Sequence, residues 1–140
     1  MEAKNIPQTV ITEMADLIDC GMVCYLNLDT MEMKYAPNSL DMRFTEWKYE
    51  DWQEVYDTVD GWNNTVTITA PEGHESFKYM VRFVDECITD RKLKASLLRA
   101  IDGRKPFAHF NAIVHNSSCR EDWFAFKRKC LEEYVRDELS

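Results

Sequence analysis

Five cysteines, three histidines and a dense set of carboxylates are the residues with which this chain could do chemistry. Cys20 and Cys24 stand four positions apart, and so do His115 and Cys119. Zinc sites favour such short spacings, usually as two pairs. Here Cys24 falls on the apolar face of a strand pattern, and Cys87 and Cys130 fall on apolar helix stripes. A free cysteine in such places acts as a small hydrophobe. No metal site is expected, and an odd cysteine count without Cys-x-x-Cys argues against a disulfide framework. His74 and Ser76 in "GHES" suggest a nucleophilic hydrolase, but no Gly-x-Ser-x-Gly elbow occurs. Both residues suit turn and cap roles before a helix. The carboxylates from Glu46 to Asp60 could supply a glycosidase pair, which needs one pKa raised by burial. They occupy the polar side of an amphipathic pattern, where charge belongs. Four glycines include no phosphate-cradling loop, so no nucleotide cofactor is expected.

The stretch "DGRKPFAHF", residues 102–110, is the remaining concentration of reactive types. Gly103 reads as a helix stop in the left-handed conformation, and Pro106 as a first helical position. Phe107 and Phe110 take inward positions with Val114. That leaves Arg104, Lys105 and His109 without a structural task. With Arg120 in the same basic half, they form the candidate binding surface. A preorganised arginine can grip a carboxylate with two hydrogen bonds.

The elements that must position these residues follow from periodicity. Val10, Ile11, Met14, Leu17 and Ile18 repeat at helical spacing after Pro7, and Gly21 is the stop. "MVCYLNL" alternates as a strand, and "MEMKY" pairs with it as a hairpin across Asp29-Thr30. Trp52, Val55, Tyr56 and Val59 mark a helix between Trp47 and Asp60, with Glu50, Asp51, Glu54 and Asp57 outside. "TVTITA" is a third strand, rich in β-branched residues. A long helix then carries Phe77, Met80, Val81, Phe83, Val84, Cys87 and Ile88. Asp90 caps another, burying Leu93, Leu97, Leu98 and Ile101. Ser118 and Glu121 fit a capping box before a last helix with Trp123, Phe126, Cys130, Leu131, Tyr134 and Val135.

At 140 residues the chain has the length of one domain, read as 1–140, with enough apolar content to bury a core. No apolar run reaches the roughly 18 residues of a membrane span, and no secretory signal opens the chain, so the cytoplasm is the expected compartment. Asn63 and Asn116 match the glycosylation pattern by chance in that setting. The net charge of −8 is uneven. Residues 1–90 hold 6 cations and 18 anions, whereas residues 91–140 hold 11 cations and 7 anions. Overall acidity weighs against a dedicated nucleic-acid binder. The polarity lets two copies, or a charged partner, meet.

"GRKPFAHFNAIV" followed by "REDWFAFKRKCL" resembles the C-terminal signature of Uncharacterised Protein Family 0158, a bacterial family. The residues that carry the resemblance are Gly103, Arg104, Phe107, Phe110, Trp123 and Phe126. "SFKYMVRFVDE" and "GMVCYLNLDTMEM" are similar to its helix after the third strand and its opening hairpin. Ala108 and His109 stand where basic residues are expected, and Thr30-Met31 where Thr-Gly is more typical. The resemblance implies a soluble fold and no particular activity.

The expectation is therefore an α+β protein: a small antiparallel sheet, made of an N-terminal hairpin plus one strand, packed with a C-terminal helical half. Its expected role is non-catalytic protein interaction, through an unknown protein partner or self-association, with no membrane partner. The alternative is a nucleic-acid-associated accessory protein that uses the basic C-terminal half. Burial separates the two: Trp123 and Phe126 cannot stack on bases if they lie inside.

Overall fold

In the computed structural model, residues 6–39, 46 and 48–140 are described. They form two compact units. The first runs to Ala70 and includes Leu131–Ser140; the second is Pro71–Cys130.

The first unit opens with α1 (Gln8–Asp19), whose Ile11, Met14, Ala15 and Ile18 are buried at helical spacing. Gly21 then turns the chain at φ 90°, a conformation that a side chain would oppose. β1 (Met22–Asn27) and β2 (Met33–Pro37) pair antiparallel, with Cys24 opposite Tyr35 and Leu26 opposite Met33. α2 (Tyr49–Asp60) follows, and β3 (Thr65–Ile68) pairs antiparallel with the other side of β1. The sheet order is β2-β1-β3. Cys24, Leu26 and Ile68 are buried on one side of it, and Ala36, opposite Val23, is buried on the other. The end of α6 (Arg120–Leu139) adds Leu131, Val135 and Leu139 to the core. It is tied to α1 by the Thr12 hydroxyl, which donates to the Glu132 carboxylate at 2.6 Å, and by Arg136 donating to the Gln8 side chain.

The hairpin is wider than a two-residue turn. The Asn27 amide donates to the Glu32 carbonyl at 2.8 Å, and the Met31 amide to the Asn27 carbonyl at 2.7 Å. The Asn27 side-chain oxygen accepts from the Asp29 and Thr30 amides, at 2.9 and 3.3 Å. These bonds explain why Asn27 is a buried polar residue. Closure puts Met31 at φ 64°, in the left-handed region that glycine tolerates best. Met31 therefore occupies the place where a Thr-Gly turn was the more typical expectation.

The second unit is helical. α3 (Gly73–Cys87) buries Tyr79, Met80, Phe83 and Val84. α4 (Arg91–Asp102) is capped by Asp90, whose carboxylate accepts from the Lys92 and Leu93 amides at 2.9 and 3.1 Å. α5 (Pro106–His115) buries Phe110 and Val114. The start of α6 brings Trp123 into an aromatic cluster. Its ring centroid lies 5.2 Å from Phe83 and 5.0 Å from Phe110. Sheet and helices together make the α+β class.

Several local expectations shift. Leu98, Phe107, Val81 and Cys87 are exposed rather than buried. Each lies at the edge of the row its helix buries. His74 and Ser76 lie inside the first turn of α3, not before it. The turn into α6 uses Ser117 rather than Ser118: the Ser117 hydroxyl accepts from the Cys119 amide at 3.2 Å. Trp47 lies outside the described residues; α2 itself begins at Tyr49.

Candidate functional site

The corner between α4 and α5 is built from backbone constraints. Gly103 follows the last residue of α4 but is extended, at φ −94° and ψ −166°. The expected left-handed glycine is thus absent. Glycine is needed there for room, because a Cβ would stand 3.2 Å from the Arg99 carbonyl oxygen. The left-handed residue is Lys105, at φ 49° and ψ 57°. Such a conformation costs a non-glycine residue about 1–2 kcal/mol, and the ring of the following proline crowds it further. Pro106 then opens α5 with its φ already helical. The His109 amide donates to the Lys105 carbonyl at 3.1 Å, closing the first turn.

Arg104, Lys105 and His109 are all exposed on this corner. Among the described residues, no ion pair engages their side chains. Arg120 does not join them. It sits at the start of α6, with its guanidinium carbon 5.4 Å from the Phe124 ring centroid. The His115 ring meets the same phenyl edge-on at 5.4 Å. His115 ends α5, so the Arg120 group lies beyond the far end of that helix, on the order of 15 Å along its axis from Lys105. The candidate residues thus form two cationic sites on the helical unit.

Exposed apolar side chains accompany them. Phe107 is 41% exposed, Leu98 42% and Phe124 43%. Phe124 carried a readable signal: it lies off the Trp123, Phe126, Cys130 stripe. Trp123 is 4% exposed and belongs to the core. Phe126 is half-buried, between Phe83 at 5.5 Å and the Arg82 guanidinium at 5.5 Å. Neither offers a free face for base stacking; Phe107 and Phe124 are the more exposed rings of this unit.

The other reactive groups do not converge. Among the described residues no group of three His, Cys, Asp or Glu side chains is arranged to hold a metal ion. Cys20 is exposed and Cys24 buried. Burial, with the Glu13 carboxylate adding to it, pushes the Cys24 thiol up to about 12. A thiol so protected is neither a nucleophile nor a ready ligand. Cys119 is buried with its sulfur 2.9 Å from the Ser117 hydroxyl, while His115 is exposed on Phe124. His74 lies 3.4 Å from Glu72 and 3.5 Å from Glu75, and all these pairs are on the surface. None of the helices, over the described residues, is long and apolar enough to cross a membrane.

Fold and surface together define an α+β protein with a three-stranded antiparallel sheet, a helical unit and an exposed basic corner. The model of Uncharacterised protein family (UPF0158) matches residues 16–140, and the chain belongs to that family. No curated protein and no solved structure matches it.

Proposed function

We propose that this protein is a non-catalytic interaction module of the bacterial cytoplasm, which binds a protein partner through the corner at Arg104, Lys105 and His109. The observation that carries this reading is Lys105, a cation held in a strained left-handed conformation beside an exposed arginine and an exposed phenylalanine. Strained backbone clusters where side chains must be presented in one direction. An exposed arginine and lysine on a constrained backbone suit a carboxylate-rich surface, and Phe107 adds apolar contact that charge alone lacks.

A second reading has its own observation. Arg120 stacked on exposed Phe124, within a stretch of ten cations and three anions from Arg91 to Lys129, suits a single-stranded nucleic acid.

Affinity capture from bacterial lysate, with and without nuclease, tests both. The wild type is compared with Arg104→Ala and with the double reversal Arg104→Glu, Lys105→Glu. Arg104→Ala should change stability by less than about 0.5 kcal/mol, as exposed substitutions do. The protein-binding reading expects a stoichiometric protein that survives nuclease and is lost from the double reversal. Partners that vanish with nuclease, and that depend on Arg120 and Phe124 instead, would replace it with the nucleic-acid reading.

A further inference from the structure

α2 is a twelve-residue amphipathic helix that buries no residue. Its apolar stripe of Trp52, Val55, Tyr56 and Val59 is mostly covered, though none of the four is fully buried. Tyr49, 47% exposed, stacks on Tyr56 with centroids 5.1 Å apart. Tyr35 of β2, 39% exposed, meets Trp52 at 6.4 Å. Glu50, Asp51, Glu54 and Asp57, all exposed, occupy the outer face of α2, away from that stripe, and α2 contains no cation. This acidic face, with Tyr49 exposed at its edge, suits a basic partner that also brings apolar contact.

The same chain carries the complementary surface: Arg104 and Lys105, with exposed Phe107 and Leu98 nearby in the helical unit. Every molecule in solution therefore presents both halves of one contact. We propose that the occupant of the α2 face is a second copy of this chain, whose α4–α5 corner docks there. This names the partner of the corner and so rests on the protein-binding reading above. The contact is heterologous, one surface against a different one, and each copy keeps its other surface for a further neighbour. Charge supplies orientation and encounter rate, so the association weakens as salt rises.

The test is the weight-average mass by sedimentation, in low and high salt. In low salt the wild type should rise above the 16.5 kDa of one chain as concentration increases, and return to it in high salt. Glu54→Lys with Asp57→Lys, and separately Arg104→Glu with Lys105→Glu, should each stay at one chain mass while retaining native circular dichroism. Mixed together, or combined in one chain, the two reversals should restore association. A wild type that remains at one chain mass throughout overturns the proposal, and so do folded reversals that fail to complement one another. If either happens while a lysate protein is still captured through Arg104, the corner binds a different protein and only the second copy is withdrawn.

Discussion

Trp52 and Trp123 occupy the same kind of position in the two units, the apolar stripe of an amphipathic helix. Trp123 is 4% exposed and set between Phe83 and Phe110, at 5.2 and 5.0 Å. Trp52 is half-buried and has Tyr35 beside it at 6.4 Å. The helical unit packs Phe83, Phe110 and Trp123 into its core, whereas α2 of the sheet unit has no fully buried aromatic. Periodicity establishes that a helix has an apolar stripe. How completely the stripe is covered depends on what packs against it.

The largest expected effect tests that contrast directly. Trp123→Ala should lose about 3–5 kcal/mol, as deletions of fully packed large aromatics do. Trp52→Ala should lose less, about 2 kcal/mol, because part of its surface already meets water. Urea midpoints of the two variants measure both. Equal losses would mean that α2 is held as firmly as the aromatic cluster.

The cysteines sharpen the comparison through pH. Cys24, buried on one side of the sheet, has its thiol raised from 9.0 to about 12, first by burial and then by Glu13. Below pH 9 both folded and unfolded chains hold this proton, and its contribution to stability is complete. Above it the unfolded thiol loses the proton while the folded one keeps it. Stability then falls by about 1.4 kcal/mol per pH unit until the folded thiol also titrates. Tyr25 is raised as well, by burial first and then by Tyr56, Asp60 and Cys24, and it acts with the same sign. Cys24→Ala should therefore flatten, without abolishing, the alkaline fall in stability between about pH 9 and about pH 12. The Cys87 thiol, in the helical unit, is also raised, first by burial and then by Glu86 and Asp122, with Lys129 opposing. Cys87→Ala should therefore relieve a smaller part of the same fall than Cys24→Ala does. An unchanged curve for Cys24→Ala would show that water reaches this side of the sheet.

Much of this architecture was legible because it rests on local rules. The capping of α4 by Asp90, the stop at Gly103 and the start of α5 at Pro106 each depend on a few adjacent residues. The three strands followed from alternation and β-branching. Membership of the family was legible in the spacing of Gly103, Arg104, Phe107, Phe110, Trp123 and Phe126. What periodicity could not show was the depth of each stripe. Leu98 and Phe107 fit an apolar row and are nonetheless exposed. Nor could it show that the candidate cations divide, with Arg120 drawn to Phe124 at one end of α5 and Lys105 at the other. That division follows from the helix's length and from where α6 begins, which no motif records.

The smallest expected effect concerns backbone strain, of which each unit has one non-glycine example among the described residues: Met31 at φ 64° and Lys105 at φ 49°. Met31 closes a hairpin through its amide bond to Asn27, and nothing else in that loop demands a side chain there. Met31→Gly removes the clash of Cβ with the backbone but makes the unfolded chain freer, so the net gain should be about 0.5–1 kcal/mol. Lys105→Gly should gain less. Part of its strain comes from the Pro106 ring pressing on the backbone of residue 105, which glycine does not relieve. The two gains differ in what accompanies them. Met31→Gly should leave partner capture intact, whereas Lys105→Gly should weaken it, since it removes a presented cation and loosens the corner. A strained turn that serves only the fold is improved by glycine without loss. A corner that becomes more stable but binds less well is one whose strain is used.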